Sequence, residues 1–169
     1  MKTALLLVDA QRNMLEGDDA IPATAEVTPA LRRLLELARA ARAVVVHVQN
    51  DGSVGDPDEP HTQGWELVFT PADGEVIVRK DQPDTFAANA GLGASLRERG
   101  VETVVVAGMQ SEFCIEATSR GARNEGFEVL LPRGAHATYG ATAADVSASV
   151  EDELGAAGVW IVDLAAVEF

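Results

Sequence analysis

At 169 residues and a net charge of −14, with 47% apolar and 24% charged residues, the chain has the composition of one globular domain. The acidity argues against nucleic acid, whose phosphates call for Lys and Arg in excess, and against docking on an anionic membrane surface. A lone cysteine excludes an internal disulfide.

The first apolar run, Ala4 to Val8, is five residues long before Asp9, too short for a signal-peptide core or a bilayer span, so a cytoplasmic location is expected. Six short, β-branched and nearly continuous apolar runs read as strands: 3–8, 43–48, 75–79, 103–108, 127–131 and 159–164. Strands without alternation are buried on both faces, as in a parallel sheet covered by helices. Between the first two, Thr28-Pro29 reads as an N-cap and a first-turn proline, and Leu31, Leu34, Leu35 and Ala38 recur at helical spacing to about Arg42. Residues 50–74, rich in Gly, Pro and Asp, make a connection too long to be plain. Trp65, Leu67, Val68 and Phe69 mark it as an ordered element packed against the site or a second subunit. Further helices fit 88–99 before Gly100, 113–125 before Gly126, and 142–156 before Gly158. The alternation predicts a single α/β domain over 1–169, with a doubly wound, mostly parallel six-stranded sheet flanked by helices.

Asp9 follows the first run directly, Lys80 follows the third, and Cys114 lies just past the fourth. Parallel strands would bring all three to one sheet edge, where doubly wound sheets bind their ligands. Cys114 would stand near the start of the helix beginning around 113, where the helix dipole and Lys80 lower a thiol's pKa. Asp9 could take the thiol proton and later deliver it to a leaving amine. The turn "GMQSEFC" adds backbone N–H groups suited to an oxyanion hole. Such a set describes acyl transfer to cysteine. Gln11, Trp65, Phe86 and Met109 are expected to line the substrate pocket. His136 and Tyr139 face the site or a subunit contact, and the Thr118 hydroxyl bonds within its helix. Other chemistries fit less well. A phospho-receiver needs a second acid beside Asp9, where Ala10 stands, and "VDAQRNMLEG" lacks the glycine turn of a dinucleotide site. A peroxide-sensing thiol would lack a resolving cysteine.

The segments "ALLLVDAQRNM", "VIVRKDQPDTF" and "GMQSEFCIEATSRGARNEGFEVLLPRGAHAT" resemble the isochorismatase-like cysteine hydrolases, which include nicotinamidase and N-carbamoylsarcosine amidase. The resemblance runs from Ala4 to about Val162. It implies an Asp–Lys–Cys triad at Asp9, Lys80 and Cys114, and a thioacyl-enzyme formed with loss of ammonia or an amine. It further implies a cis peptide at Met109–Gln110, an oxyanion hole from the amides of Gln110 and Cys114, and a homodimer or homotetramer. Nicotinamidases hold a metal with an Asp and two His after the second strand. Here His47 lies within the strand and His61 has no His partner, so no metal and no cofactor are expected. The partner is a small molecule, with neither nucleic acid nor membrane. Members that act on a vinyl ether can dispense with the cysteine, so Cys114 favours the C–N bond of an amide, carbamoyl or ureido compound. A vinyl ether hydrolase and a silent oligomeric homologue are the alternatives.

Overall fold

A computed structural model describes residues 2–169. Its strands are β1 (Lys2–Val8), β2 (Val44–Asn50), β3 (Val76–Lys80), β4 (Val101–Met109), β5 (Glu128–Pro132), β6 (His136–Ala137) and β7 (Trp160–Val162). They form one sheet in the order β3-β2-β1-β4-β5-β7, every pairing parallel. The helices are α1 (Arg12–Leu15), α2 (Thr24–Ala40), α3 (Thr85–Ala88), α4 (Leu92–Glu98), α5 (Glu116–Asn124) and α6 (Ala143–Ala156), and a π-helical turn, Ser111–Ile115, runs into α5. Among the described residues no helix is long and apolar enough to cross a membrane.

Side chains of a strand alternate between faces, and here both faces are apolar. Leu5, Leu7, Val105, Ala107 and Met109 meet Leu31, Leu34, Leu35 and Ala38 of α2 in one core cluster. Ala4, Leu6, Val8, Val104 and Val106 meet Leu92 and Leu96 of α4, Ala122 of α5, and Val150 and Leu154 of α6 in the other. The doubly wound arrangement follows from that two-sided burial.

The structure departs from the sequence reading in three places. Pro29 lies inside α2, not at its start, because the helix begins at Thr24. Proline forfeits one intrahelical bond, but the preceding turn buries Val27 to 1% exposure, which offsets it. The helix expected over 88–99 shortens to α4, and a separate turn, α3, precedes it, capped by the Asp84 carboxylate, which accepts the Phe86 N–H at 2.9 Å. A seventh strand is present. Along β4, β5 pairs only with Thr103–Val105, and after a turn the chain returns as β6 to pair with Gly108 and Met109. The longer β4 is thus covered to its end.

The connection between β2 and β3 is strapped down. Gln11 and Leu67 form an antiparallel bridge. Flanking it, the N–H groups of Val68, Arg12 and Asn13 donate to the carbonyls of Ala10, Glu66 and Gly64, each at 2.9 Å. Phe69 is sunk into the α2-side core.

Candidate active site

β1, β2, β3 and β4 all end at the same edge of the sheet, and each end contributes to one cluster. Asp9, the residue after β1, has φ 51, a left-handed conformation that Asp tolerates better than most residues. Its N–H donates to the Val48 carbonyl at 2.9 Å, which fixes the bend against β2. Lys80 is the last residue of β3 and Asn50 the last of β2, paired in register. Cys114 sits in the π-helical turn after β4. Just before that turn, Gly108 lets the end of β4 pass close against β1. It has φ +129, and a Cβ there would lie 1.9 Å from the Val8 carbonyl oxygen, a gap that only glycine can leave. The Met109–Gln110 peptide that follows is cis.

Lys80 is the hub. Its Nζ donates to Asp9 Oδ2 at 2.8 Å, to Asn50 Oδ1 at 3.1 Å and to Cys114 Sγ at 3.2 Å. Three acceptors match the three protons of an ammonium. The pair is sealed, with side chains 0% exposed at Lys80 and 1% at Asp9. Asp9 Oδ1 is buried with no hydrogen-bond partner among the described residues, so one carboxylate oxygen is free to accept a proton.

The electrostatics run against the expected low-pKa thiol. Burial, reinforced by the Asp9 carboxylate, pushes the Cys114 thiol up to about 12 despite the opposing pull of Lys80. At neutral pH the thiol is therefore protonated. Burial also holds the Asp9 carboxyl above its ordinary range, although Lys80 pulls it down. For Lys80 burial lowers the pKa, but the attraction of Asp9 and Cys114 outweighs it and the net direction is up. The lysine stays charged, and the proton shared by the acidic pair resides on Cys114.

The expected pocket residues prove to be mostly struts. Gln11 is fully buried: its Nε2 donates to the carbonyls of Asn50 and Trp65, both at 3.0 Å, and its Oε1 accepts the Asn50 N–H at 2.8 Å. It thus ties the long connection to the sheet edge and has no surface for a substrate. Met109 is likewise 0% exposed, packed in the α2-side core. Phe86 packs in the opposite core, its ring 5.9 Å from that of Phe127. Apolar side chains at the base of a site are drawn into the core by the same burial that builds the sheet. Trp65 is partly exposed, with Nε1 donating to Asp51 Oδ1 at 2.9 Å and the Arg79 guanidinium 5.0 Å above its ring. The Gln110 side chain accepts from Thr138 Oγ1 at 3.3 Å.

Of the remaining candidates, Thr118 bonds outside its helix, 2.9 Å from Thr85 Oγ1, and so joins α5 to α3. His47 Nε2 lies 2.8 Å from Glu75 Oε2 inside the fold. His61 is exposed with φ 73 and its ring 5.3 Å from Trp65. No group of three His, Cys, Asp or Glu side chains able to hold a metal occurs among the described residues. Tyr139 Oη donates to the Asn13 carbonyl at 3.4 Å. His136 is buried, with Nδ1 2.8 Å from Ser111 Oγ. Sequence reasoning missed Asn50, the third acceptor of Lys80, and Asp58, whose Oδ2 accepts from Asn50 Nδ2 at 2.7 Å. Asn50 ends a strand at the same edge as the others, and the rule that picked Asp9 and Lys80 applies to it equally.

Comparison with known proteins places this architecture. A streptothricin hydrolase of Streptomyces noursei is 48% identical over 150 residues, which cover 87% of this chain and 54% of that protein. The chain thus spans about half the length of that relative. A ureidoacrylate amidohydrolase, RutB, of Stutzerimonas stutzeri is 29% identical over 175 residues, 80% of this chain and 70% of that protein. Among solved structures, N-carbamoylsarcosine amidase from Thermoplasma acidophilum superposes with a TM-score of 0.86 over the whole of both chains at 21% identity, a likeness of fold. A family model described as the isochorismatase domain matches residues 3–164, and the chain accordingly belongs to the isochorismatase family.

Proposed function

We propose that the chain is a cysteine-dependent hydrolase that cleaves the C–N bond of a small amide, carbamoyl or ureido compound. One observation carries the reading: a buried lysine ammonium that touches both a carboxylate and the chain's single thiol, at 2.8 and 3.2 Å. The names of two relatives, a streptothricin hydrolase and an amidohydrolase, agree with hydrolysis.

The resting thiol is neutral, so attack and deprotonation belong to one step. As Cys114 Sγ bonds to the substrate carbonyl carbon, the thiol proton passes to Asp9 Oδ1, the unpartnered oxygen. The electron pair of the C=O bond moves onto oxygen, and the N–H groups of Gln110 and Cys114 stabilise that oxyanion. On collapse the C–N bond breaks, and the departing nitrogen takes the proton from Asp9, leaving a thioacyl-enzyme. Water then attacks this carbonyl and gives a proton to Asp9. The C–S bond breaks and Asp9 returns the proton to sulfur. Lys80 stays charged throughout and balances whichever of Asp9 and Cys114 is anionic. Asn50 holds the ammonium in place.

The test is ammonia or amine release from a panel of small amides and ureido compounds by wild type, Cys114→Ala and Lys80→Ala. Turnover by wild type and its loss in both variants is expected. Release that survives in either variant would refute the scheme.

A further inference from the structure

Behind the turn that carries Cys114 lies a histidine for which the hydrolytic scheme has no use. His136, the first residue of β6, is 5% exposed. Its Nδ1 is 2.8 Å from Ser111 Oγ, which in turn is 2.9 Å from Ser147 Oγ of α6. Its Nε2 approaches Glu151 Oε1, also of α6, at 3.3 Å, outside hydrogen-bond geometry. Ser, His and Glu in this order look like a second nucleophilic centre. They are not one, because Ser111 is 0% exposed and its hydroxyl is out of reach of any substrate.

The chemistry assigns a direction to the chain of bonds. A neutral imidazole has one N–H, and Glu151 beside Nε2 favours placing it there. Nδ1 then accepts the Ser111 hydroxyl proton, and Ser111 Oγ accepts from Ser147. Arg133 lies 3.3 Å from Glu151 Oε2 and 3.8 Å from Asp163 Oδ1, so the carboxylate facing His136 is itself held. Burial brings the imidazole down to about 4, which keeps it neutral at physiological pH.

Ser111 is the first residue of the π-helical turn. The turn's N–H groups at Phe113 and Ile115 both donate back to the Gln110 carbonyl, at 3.2 and 3.1 Å, so those bonds hold it only to itself. The Ser111 side chain reaches outward, to β6 through His136 and to α6 through Ser147. On the hydrolase reading above, we propose that His136 is a positioning residue, which by accepting the Ser111 hydroxyl fixes the turn that sets Cys114 against Lys80. Displacement of a reacting atom by about 1 Å costs roughly a hundredfold in rate, so a clamp two links from the sulfur is enough to matter.

Three variants test this, each first checked for a cooperative thermal transition. His136→Leu removes the acceptor, Ser111→Ala removes the donor, and His136→Asn restores an acceptor near the place of Nδ1. The expected result is a fall of about tenfold or more in kcat for the first two, with KM within about threefold. His136→Asn should recover most of the loss. Alkylation of Cys114 by iodoacetamide at pH 9 provides a readout that needs no substrate. A loosened turn exposes the thiol, so alkylation should speed up in His136→Leu and Ser111→Ala and return toward wild type in His136→Asn. Wild-type alkylation and turnover in His136→Leu would overturn the proposal, as would a His136→Asn variant no better than His136→Leu. If wild type turns over no amide, the hydrolase reading fails, and the alkylation order alone still decides whether His136 positions the turn. If His136→Leu does not fold, Ser111→Ala against wild type decides in its place.

Discussion

Removing Lys80 should expose how much of this fold's stability is committed to its chemistry. In Lys80→Met the Asp9 carboxylate loses its one counter-ion among the described residues while remaining 1% exposed. Leaving one partner of a buried ion pair uncompensated costs about 3–5 kcal/mol. Asn50 Oδ1 also loses its donor, which adds about 1 kcal/mol. Asp9 is already held above its ordinary 3.8 by burial, and without the lysine it rises further. A carboxyl whose folded pKa is raised favours the fold at low pH, and that benefit is lost as pH rises through the folded value. The Lys80→Met deficit should therefore be small near pH 5 and reach its full size by pH 8. Urea unfolding at both pH values, followed by tryptophan fluorescence and circular dichroism, measures it. The double variant Asp9→Asn, Lys80→Met removes both charges and should return to within about 1 kcal/mol of wild type, or exceed it, while having no hydrolytic activity. A single variant as stable as wild type at pH 8 would refute the reasoning. So would a double variant no more stable than the single.

Two further outcomes follow from particular residues. His136, held down to about 4 from an ordinary 6.5, contributes stability that is present above pH 6.5 and lost as pH falls toward 4. The difference is on the order of 3 kcal/mol. Asp9 and Glu151, both raised, titrate in the opposite sense. The comparison is therefore of wild type with His136→Asn, whose pH–stability curve should be flatter by that amount; parallel curves would show that His136 carries no such linkage. Gly108→Ala should cost at least about 3 kcal/mol, combining an unfavourable φ with a clash against β1. Gly126→Ala has a comparable φ of +90 but nothing within 4 Å of the new Cβ, and should cost only about 1 kcal/mol. Equal urea midpoints for the two variants would remove the role assigned to the close approach at Gly108.

The parts of the fold that were legible in the sequence are those fixed by burial on both faces. Runs such as "ALLLV" and "TVVVAG" announce central parallel strands whatever surrounds them. β6 was not legible, since a two-residue strand has no period and exists only because β4 outruns β5. The start of α2 is not legible, because a local rule about proline loses to the tertiary burial of Val27. At the site, strand-end position brought out Asp9, Lys80 and Cys114, and the structure brings them within hydrogen-bonding reach of Lys80 Nζ. The direction of the thiol's pKa is not legible either, because a helix start and a lysine are visible in sequence whereas depth of burial is not. Proximity along the chain points to Gln11, Phe86 and Met109 as pocket residues. Proximity does not say which way a side chain faces, and all three face inward.

The sheet order has a consequence for how the site comes into being. Asp9 meets Lys80 across 71 residues of chain, and Lys80 meets Cys114 across 34. β2 and its Asn50 lie between β1 and β3, so the Asp9–Lys80 contact waits for three strands and the Lys80–Cys114 contact for four. Every one carries the entropy of closing a long loop, and such non-local pairings form late and slowly. A nascent or truncated chain therefore has its cysteine but not its site. The Lys80–Cys114 contact is a property of the completed sheet, and it should vanish with the sheet in a single cooperative step.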